Sequence, residues 1–318
     1  MISELIRKFE SHTGNNAFSR IDDIHLLDIY VGFDSNSNYC LMIILDLEPQ
    51  KLLSTKIIDV TIFTRKDSRF AVNFSLQQTH YLDLFFQICE DLIEQSRTQA
   101  SQSVAQSFFV ERFKKWQNFM RRSTKGLLTN QEIKGLIGEL IFLREVLLKK
   151  VTHDKALAAW TGPENLKQDY ILESTWFEVK AVSEHAESTK ISSIEQLDVD
   201  RDGYLVVAKF AKTSDLDKEK ITLNLLYREL ATEFEEMQLR TSFDNTLFDF
   251  GYIDRVEYDF EMFRFIEFNF FKVDTSFPSL RRKDLPNALL QATYEISLSS
   301  LIDFKVDINN LNMGDIWN

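Results

Sequence analysis

Two carboxylates and a lysine fall within QDYILESTWFEVKAV, residues 168 to 182. Asp169, Glu178 and Lys180 are residue types that can hold a divalent cation and orient a water beside a phosphodiester. Whether they meet depends on strand periodicity. Side chains alternate along a strand, so Trp176, Glu178 and Lys180 point one way, and Phe177, Val179 and Ala181 the other. The second set is apolar and suits a core. Tyr170 to Glu173 and Trp176 to Val182 are expected to pair as a hairpin around Ser174-Thr175. That sets Asp169 opposite Lys180 and diagonal to Glu178, on one face. A loop with an odd residue count would break this register, and Ser-Thr is not a strong two-residue turn. Glu-x-Lys alone carries little information, because edge strands often bear such a pair on a solvated face.

Glu139 adds weight. It is the only charge in GLIGELIFL, residues 135 to 143. An ionised carboxylate in such surroundings is costly unless paired or metal-bound. Gly135 and Gly138 would let this helix approach a sheet closely, at a cost of about 1 kcal/mol each. The alternative is that Glu139 reaches solvent or a neighbouring lysine, but lone charges on apolar helices are often functional.

The elements that must position these residues follow in order. Thr129-Asn130-Gln131-Glu132 is a capping-box pattern opening a helix to about Lys150. The hairpin comes next. Ser193-Ile194-Glu195-Gln196 resembles a second capping box and predicts a short helix from 193 to about 199. GYLVVAKFA (203 to 211) reads as a buried strand. The unit from 176 to 210 is expected to be a right-handed parallel crossover, giving an α/β core with a mixed sheet flanked by helices.

Upstream, HLLDIYVGF, YCLMIILDL, IDVTIFT (58 to 64) and FAVNFSL (70 to 76) read as strands joined by polar turns. A helix is expected over 81 to 97, and another over 108 to 122. The small polar stretch 98 to 107 is the candidate boundary between them. Downstream, a helix is expected over 221 to 239, two aromatic-rich strands over 256 to 273, and a mixed final element. The aromatic stripes suit a core better than base stacking, which needs solvent-facing rings. The expected domains are a β-rich 1 to 105, a core over 106 to 215, and an α+β region over 216 to 318.

The chain has 318 residues, a hydrophobic fraction of 44%, 27 phenylalanines, four prolines and nine glycines, so it can fold without low-complexity linkers. Cys40 and Cys89 lie in apolar surroundings and read as buried thiols. No signal-peptide core and no apolar run of about 18 to 20 residues is present, so a cytoplasmic protein with no membrane partner is expected. The formal net charge of -12 opposes nucleic-acid binding overall. Locally, residues 111 to 125 carry Arg112, Lys115, Arg122 and Lys125 among their basic side chains, and Arg281-Arg282-Lys283 forms a second cluster. These patches permit DNA contact, although a basic helix is more often a solvated face.

Glu139 on a helix, Asp169, Glu178-Val179-Lys180 on a hairpin and Gln196 after it resemble the PD-(D/E)XK nuclease superfamily, with its αβββαβ core. GLIGELIFLREVL, the Trp160-Thr161-Gly162-Pro163 turn, Ile194-Glu195-Gln196-Leu197 and FPSLRRKDLPNALLQATYEISL are similar to the bacterial PD-(D/E)XK motif protein family. The likeness covers most of the chain and is strongest from about 130 to 300. Gln168 stands where the motif has proline, a variable position.

The resemblance implies a Mg²⁺-dependent DNA endonuclease, with Mn²⁺ as a substitute, in a restriction or phage-defence system that includes ATPase and methylase partners. Asp169 and Glu178 would ligate the metal, and the Val179 carbonyl would complete the shell. Lys180 would orient or deprotonate the attacking water. Glu139 would bind metal directly, through water, or as a second-metal ligand, and Gln196 would position the site or contact the substrate backbone. The field of the carboxylates should keep Lys180 charged. A homodimer would supply two active sites. Two alternatives remain: a non-cleaving DNA- or partner-binding module, and a repair or recombination nuclease acting on branched DNA. The five histidines lack zinc spacing, and no phosphate-binding loop or Ser-His-Asp grouping is visible.

Overall fold

A computed structural model describes residues 2–11, 14, 16–49, 52–122, 128–162 and 167–307. The chain is a mixed α/β protein and divides into two compact units, Met1–Leu127 and Leu128–Asn318.

The first unit contains α1 (Ile2–Glu10), β1 (Phe18–Arg20), β2 (Asp28–Phe33), β3 (Tyr39–Leu45), β4 (Ile58–Thr64), β5 (Phe70–Leu76), α2 (Leu82–Arg97) and α3 (Gln102–Arg122). Its antiparallel sheet runs β1-β2-β3-β5-β4. The two hairpins close where expected. The Asp34 carboxylate accepts from Asn36 and Asn38 N–H in one turn, and Arg65 pairs with Arg69 across the other. The Phe74 ring of β5 meets Phe109 and Phe113 of α3, at centroid distances of 5.8 and 4.3 Å.

The stretch expected as a boundary, 98 to 107, is instead largely the first turns of α3, with Ala105 fully buried. Arg112 and Trp116 of α3 both donate to Asp91 of α2, so the two helices form one body. The sequence division at 105 therefore falls inside a packed unit. Cys40 and Cys89 are free and buried.

The second unit contains α4 (Asn130–Glu145), α5 (His153–Ala159), β6 (Tyr170–Ile171), β7 (Trp176–Ser183), β8 (Ser188–Ile191), β9 (Gly203–Lys212), α6 (Leu223–Glu233), α7 (Met237–Phe250), β10 (Phe263–Val273), β11 (Tyr294–Ser297) and β12 (Lys305–Val306). Its main sheet runs β12-β10-β9-β7-β6. β7 and β9 are parallel, as the crossover reading requires, and the other pairs are antiparallel. β8 leaves this sheet and pairs with β11.

Both faces of the sheet are covered. Phe177, Val179, Tyr204 and Val206 join the cluster built with α4 to α7. Trp176, Val182, Leu205 and Val207 join a second cluster with Ile191, Leu197, Phe271 and Ile296. A strand buried on both sides reads as a continuous apolar run, which is how β9 appears in the sequence.

Three expected elements differ. The helix predicted over 221 to 239 breaks after Glu233, where Phe234 turns inward against Phe243 at 4.9 Å. A further helix, α7, then ends on Gly251 in the left-handed conformation, φ 106°. The two strands expected over 256 to 273 are a 3₁₀ turn, Val256–Asp259, and one long strand, β10. The helix at 193 to 199 is a single 3₁₀ turn, Ile194–Gln196, without a side-chain cap. Residues 216 to 307, expected as an α+β region packed on the core, share one compact unit with 128 to 215.

Candidate active site

The site begins with α4. Its capping box forms as the sequence dictates: Thr129 Oγ1 accepts from Glu132 N–H, and Glu132 Oε2 accepts from Thr129 N–H at 2.7 Å. Gly138 brings α4 onto β7, since a methyl group there would lie 3.0 Å from Ala181 Cβ. Gly135 makes no such approach, for a methyl group there meets nothing within 4 Å. Glu139 is 7% exposed. Its Oε2 accepts a 2.7 Å hydrogen bond from Trp160 Nε1, and its backbone carbonyl accepts from Tyr170 OH.

The hairpin keeps the expected face but not the expected register. Tyr170 pairs with Phe177 and Ile171 with Trp176. The connecting loop is therefore 172 to 175, closed by Leu172 N–H donating to Thr175 O. Continued by one residue, this register sets Asp169 opposite Glu178 rather than Lys180. A four-residue loop preserves parity, so the face survives the two-residue slip.

Glu178 is fully buried. Neither of its carboxylate oxygens accepts an aligned hydrogen bond, and Lys180 Nζ lies 2.6 Å from Oε1 as an ion pair. Asp169 Oδ2 accepts from Val179 N–H at 2.7 Å, so Val179 enters the site through its N–H. Lys180 Nζ also donates to Gln196 Oε1 at 3.1 Å, and that oxygen accepts from Ser192 N–H. These bonds explain why Gln196 sits on a turn: its side chain braces the lysine instead of capping a helix. Gln168 is buried and donates to the carbonyls of Glu195 and Gln196, tying that turn to the start of β6.

Burial dominates the electrostatics. It pushes Glu178 up to about 8, with the nearby Asp169 charge adding and Lys180 opposing. It likewise holds Glu139 well above the usual carboxylate range, reinforced by Asp169. Asp169 keeps some surface, yet is packed densely enough that desolvation raises it too, against Lys180 and the Val179 N–H. For Lys180, burial favours the neutral amine, but Glu178 and Asp169 outweigh it and hold the charge on.

The donor chemistry, the carboxylates of Asp169 and Glu178 with Glu139 on the neighbouring helix, suits a hard cation. Among the described residues no three His, Cys, Asp or Glu side chains form a ready-made cage. The arrangement instead fits an ion held by one or two carboxylates, with water and substrate phosphate supplying the rest, the usual manner of Mg²⁺. Glu178 Oε1 already meets Lys180, so the buried Oε2, which accepts no aligned hydrogen bond, is the structural feature such an ion would satisfy.

The basic residues singled out in the sequence fare differently. Arg112 is 5% exposed and forms a two-pronged pair with Asp91, so it braces the first unit. Lys115 and Lys283 are exposed. The side chain of Arg122 and all of Lys125 lie outside the described residues. Arg281 faces Asp198, and Arg282 reaches Glu195 Oε1 at 3.3 Å while its N–H donates to Asp198. Those two arginines hold the turn that carries Gln196. Trp160, Gly162 and Tyr170 were not assigned site roles from sequence; the signal available was that a buried lone Glu139 needs a donor.

A family model described as "Putative PD-(D/E)XK family member, (DUF4420)" matches residues 4–299. No curated protein and no solved structure matches the chain.

Proposed function

The chain belongs to that PD-(D/E)XK family, and from this premise we propose that it is a Mg²⁺-dependent DNA endonuclease of a bacterial restriction or phage-defence system. What supports the reading is that Lys180 bridges Glu178 and Gln196, while Asp169 takes the Val179 N–H beside Glu178 and shares the Gly162 backbone with Glu139, all within the second unit. The defence setting, with ATPase and methylase subunits or a homodimer as partners, rests on the family resemblance alone.

A bound cation would polarise the scissile phosphate and lower the pKa of a coordinated water. The residues do the rest. Asp169 and Glu178 provide oxygen donors, with Asp169 fixed by the Val179 N–H. Lys180, held charged and aimed by Gln196, orients the attacking water and offsets the negative charge developing on the phosphoryl oxygens. Glu139 adds a third carboxylate from α4.

A second reading, a binding module that does not cleave, draws on the direct seat of Lys180 Nζ on Glu178. One experiment separates them. Supercoiled plasmid is incubated with protein and Mg²⁺, Mn²⁺ or EDTA, and wild type is compared with Lys180→Ala. Metal-dependent nicking or linearisation is expected, and should disappear in the variant. Cleavage that persists unchanged in Lys180→Ala sinks the assignment of the site.

A further inference from the structure

We propose that the Trp160-Thr161-Gly162 turn is a positioning device that fixes the Glu139 carboxylate for a divalent cation, presenting its second oxygen. This rests on the metal-dependent reading above and deepens it.

Two independent features point there. The first is a donor. Among the described residues the Trp160 indole N–H is the one hydrogen-bond donor to the Glu139 carboxylate, and no lysine or arginine pairs with it. The indole engages Oε2 alone. Trp160 is itself 3% exposed and stacks on Tyr170, interplanar angle 15°, so the donor cannot swing away. The second feature is shape. A methyl group at Gly162 would lie 2.7 Å from Glu139 Oε2 and 3.6 Å from Asp169 Oδ1. The backbone thus closes against both carboxylates, and an added methyl group would push the Glu139 carboxylate aside.

The same turn grips the strand carboxylate. Thr161 and Gly162 N–H both donate to the Asp169 carbonyl, at 2.9 and 3.2 Å, and Thr161 Oγ1 donates to the Gln168 carbonyl. One short segment therefore sets the helix carboxylate against the strand carboxylate. A neutral donor orients Glu139 without cancelling its charge. An arginine there would place a fixed positive charge on the carboxylate and compete with the cation. Trp160 is a positioning residue, acting through Glu139.

The test is a double-mutant cycle read by Mn²⁺ affinity, measured by electron paramagnetic resonance of free Mn²⁺ on the full chain without DNA. Trp160→Phe removes the N–H and keeps most of the packing. It should weaken Mn²⁺ binding by about 10- to 100-fold, the usual effect of losing a partner that orients a ligand. Glu139→Gln should also weaken binding, and Trp160→Phe added to it should do no more. Gly162→Ala leaves the indole in place and serves if Trp160→Phe does not fold. It should weaken Mn²⁺ in the wild-type background and have no further effect with Gln at 139. Unchanged affinity, or effects that multiply across the pair while binding still depends on Glu178, overturn the positioning role alone. Wild type that binds no Mn²⁺, or binds it equally in Glu178→Gln, overturns the site reading and this inference with it.

Discussion

Because Glu178 is buried with Lys180 as its one charged partner among the described residues and no aligned hydrogen bond to Oε2, protons and cations must compete for it. Its pKa is pushed up to about 8 in the fold, against an ordinary carboxylate value when unfolded. The folded state therefore binds the extra proton between those values, and stability falls as pH rises through that window. The contribution is fully present below the unfolded pKa and lost above about 8. Glu178→Gln removes this dependence. The melting temperature of the metal-free variant should exceed that of wild type by a margin that grows from pH 5 to pH 8, read by differential scanning calorimetry. Metal binding should tighten over the same range, since the cation needs the ionised form. That Asp169, Glu178 and Lys180 share one face, and that Glu139 is a lone charge on an apolar helix, was legible in the sequence, because residue type and alternation are local. Their partners were not. That Trp160 holds Glu139 and Gln168 holds the Gln196 turn depends on chain segments converging from 21 and 27 residues away.

At the scale of elements, α4 and β7 make opposite predictions for two neighbouring glycines. Gly135→Ala places a methyl group in open space inside a helix, and should stabilise by about 0.4 to 1 kcal/mol. Gly138→Val drives a side chain into Ala181 and Val179, and should destabilise by about 1 to 3 kcal/mol. Urea denaturation checks both. From sequence the two looked alike, since periodicity locates a helix but not which small residue meets a sheet. The hairpin shows the same limit. Parity fixed the face of Glu178 and Lys180, whereas the register depended on loop length, which Ser174-Thr175 could not specify. The turn at 194 to 196 was expected as a helix because Ser193 and Gln196 match a capping box. A tertiary partner, Lys180, took the Gln196 side chain instead.

For the whole molecule, a net charge of -12 predicts weak, strongly salt-sensitive DNA binding by the isolated chain. Arg112→Ala should leave that affinity unchanged and lower stability by about 3 kcal/mol or more, as breaking a buried pair does. Filter binding and urea denaturation separate the two effects. The carboxylates and Lys180 all belong to the second unit, so residues 128 to 318 expressed alone should retain Mn²⁺ binding. The first half of β7, Trp176–Val179, is buried, meets β6 at Trp176 and Phe177 and pairs with β9 from Phe177 on, and its amides should exchange with solvent only when the unit unfolds globally. Ion release by local fraying is then closed off, and a bound cation becomes a thermodynamic lock on the fold. At 100 times its dissociation constant it would add about 2.7 kcal/mol against unfolding. If the chain binds a cation as proposed, chelation would also shorten its lifetime before proteases.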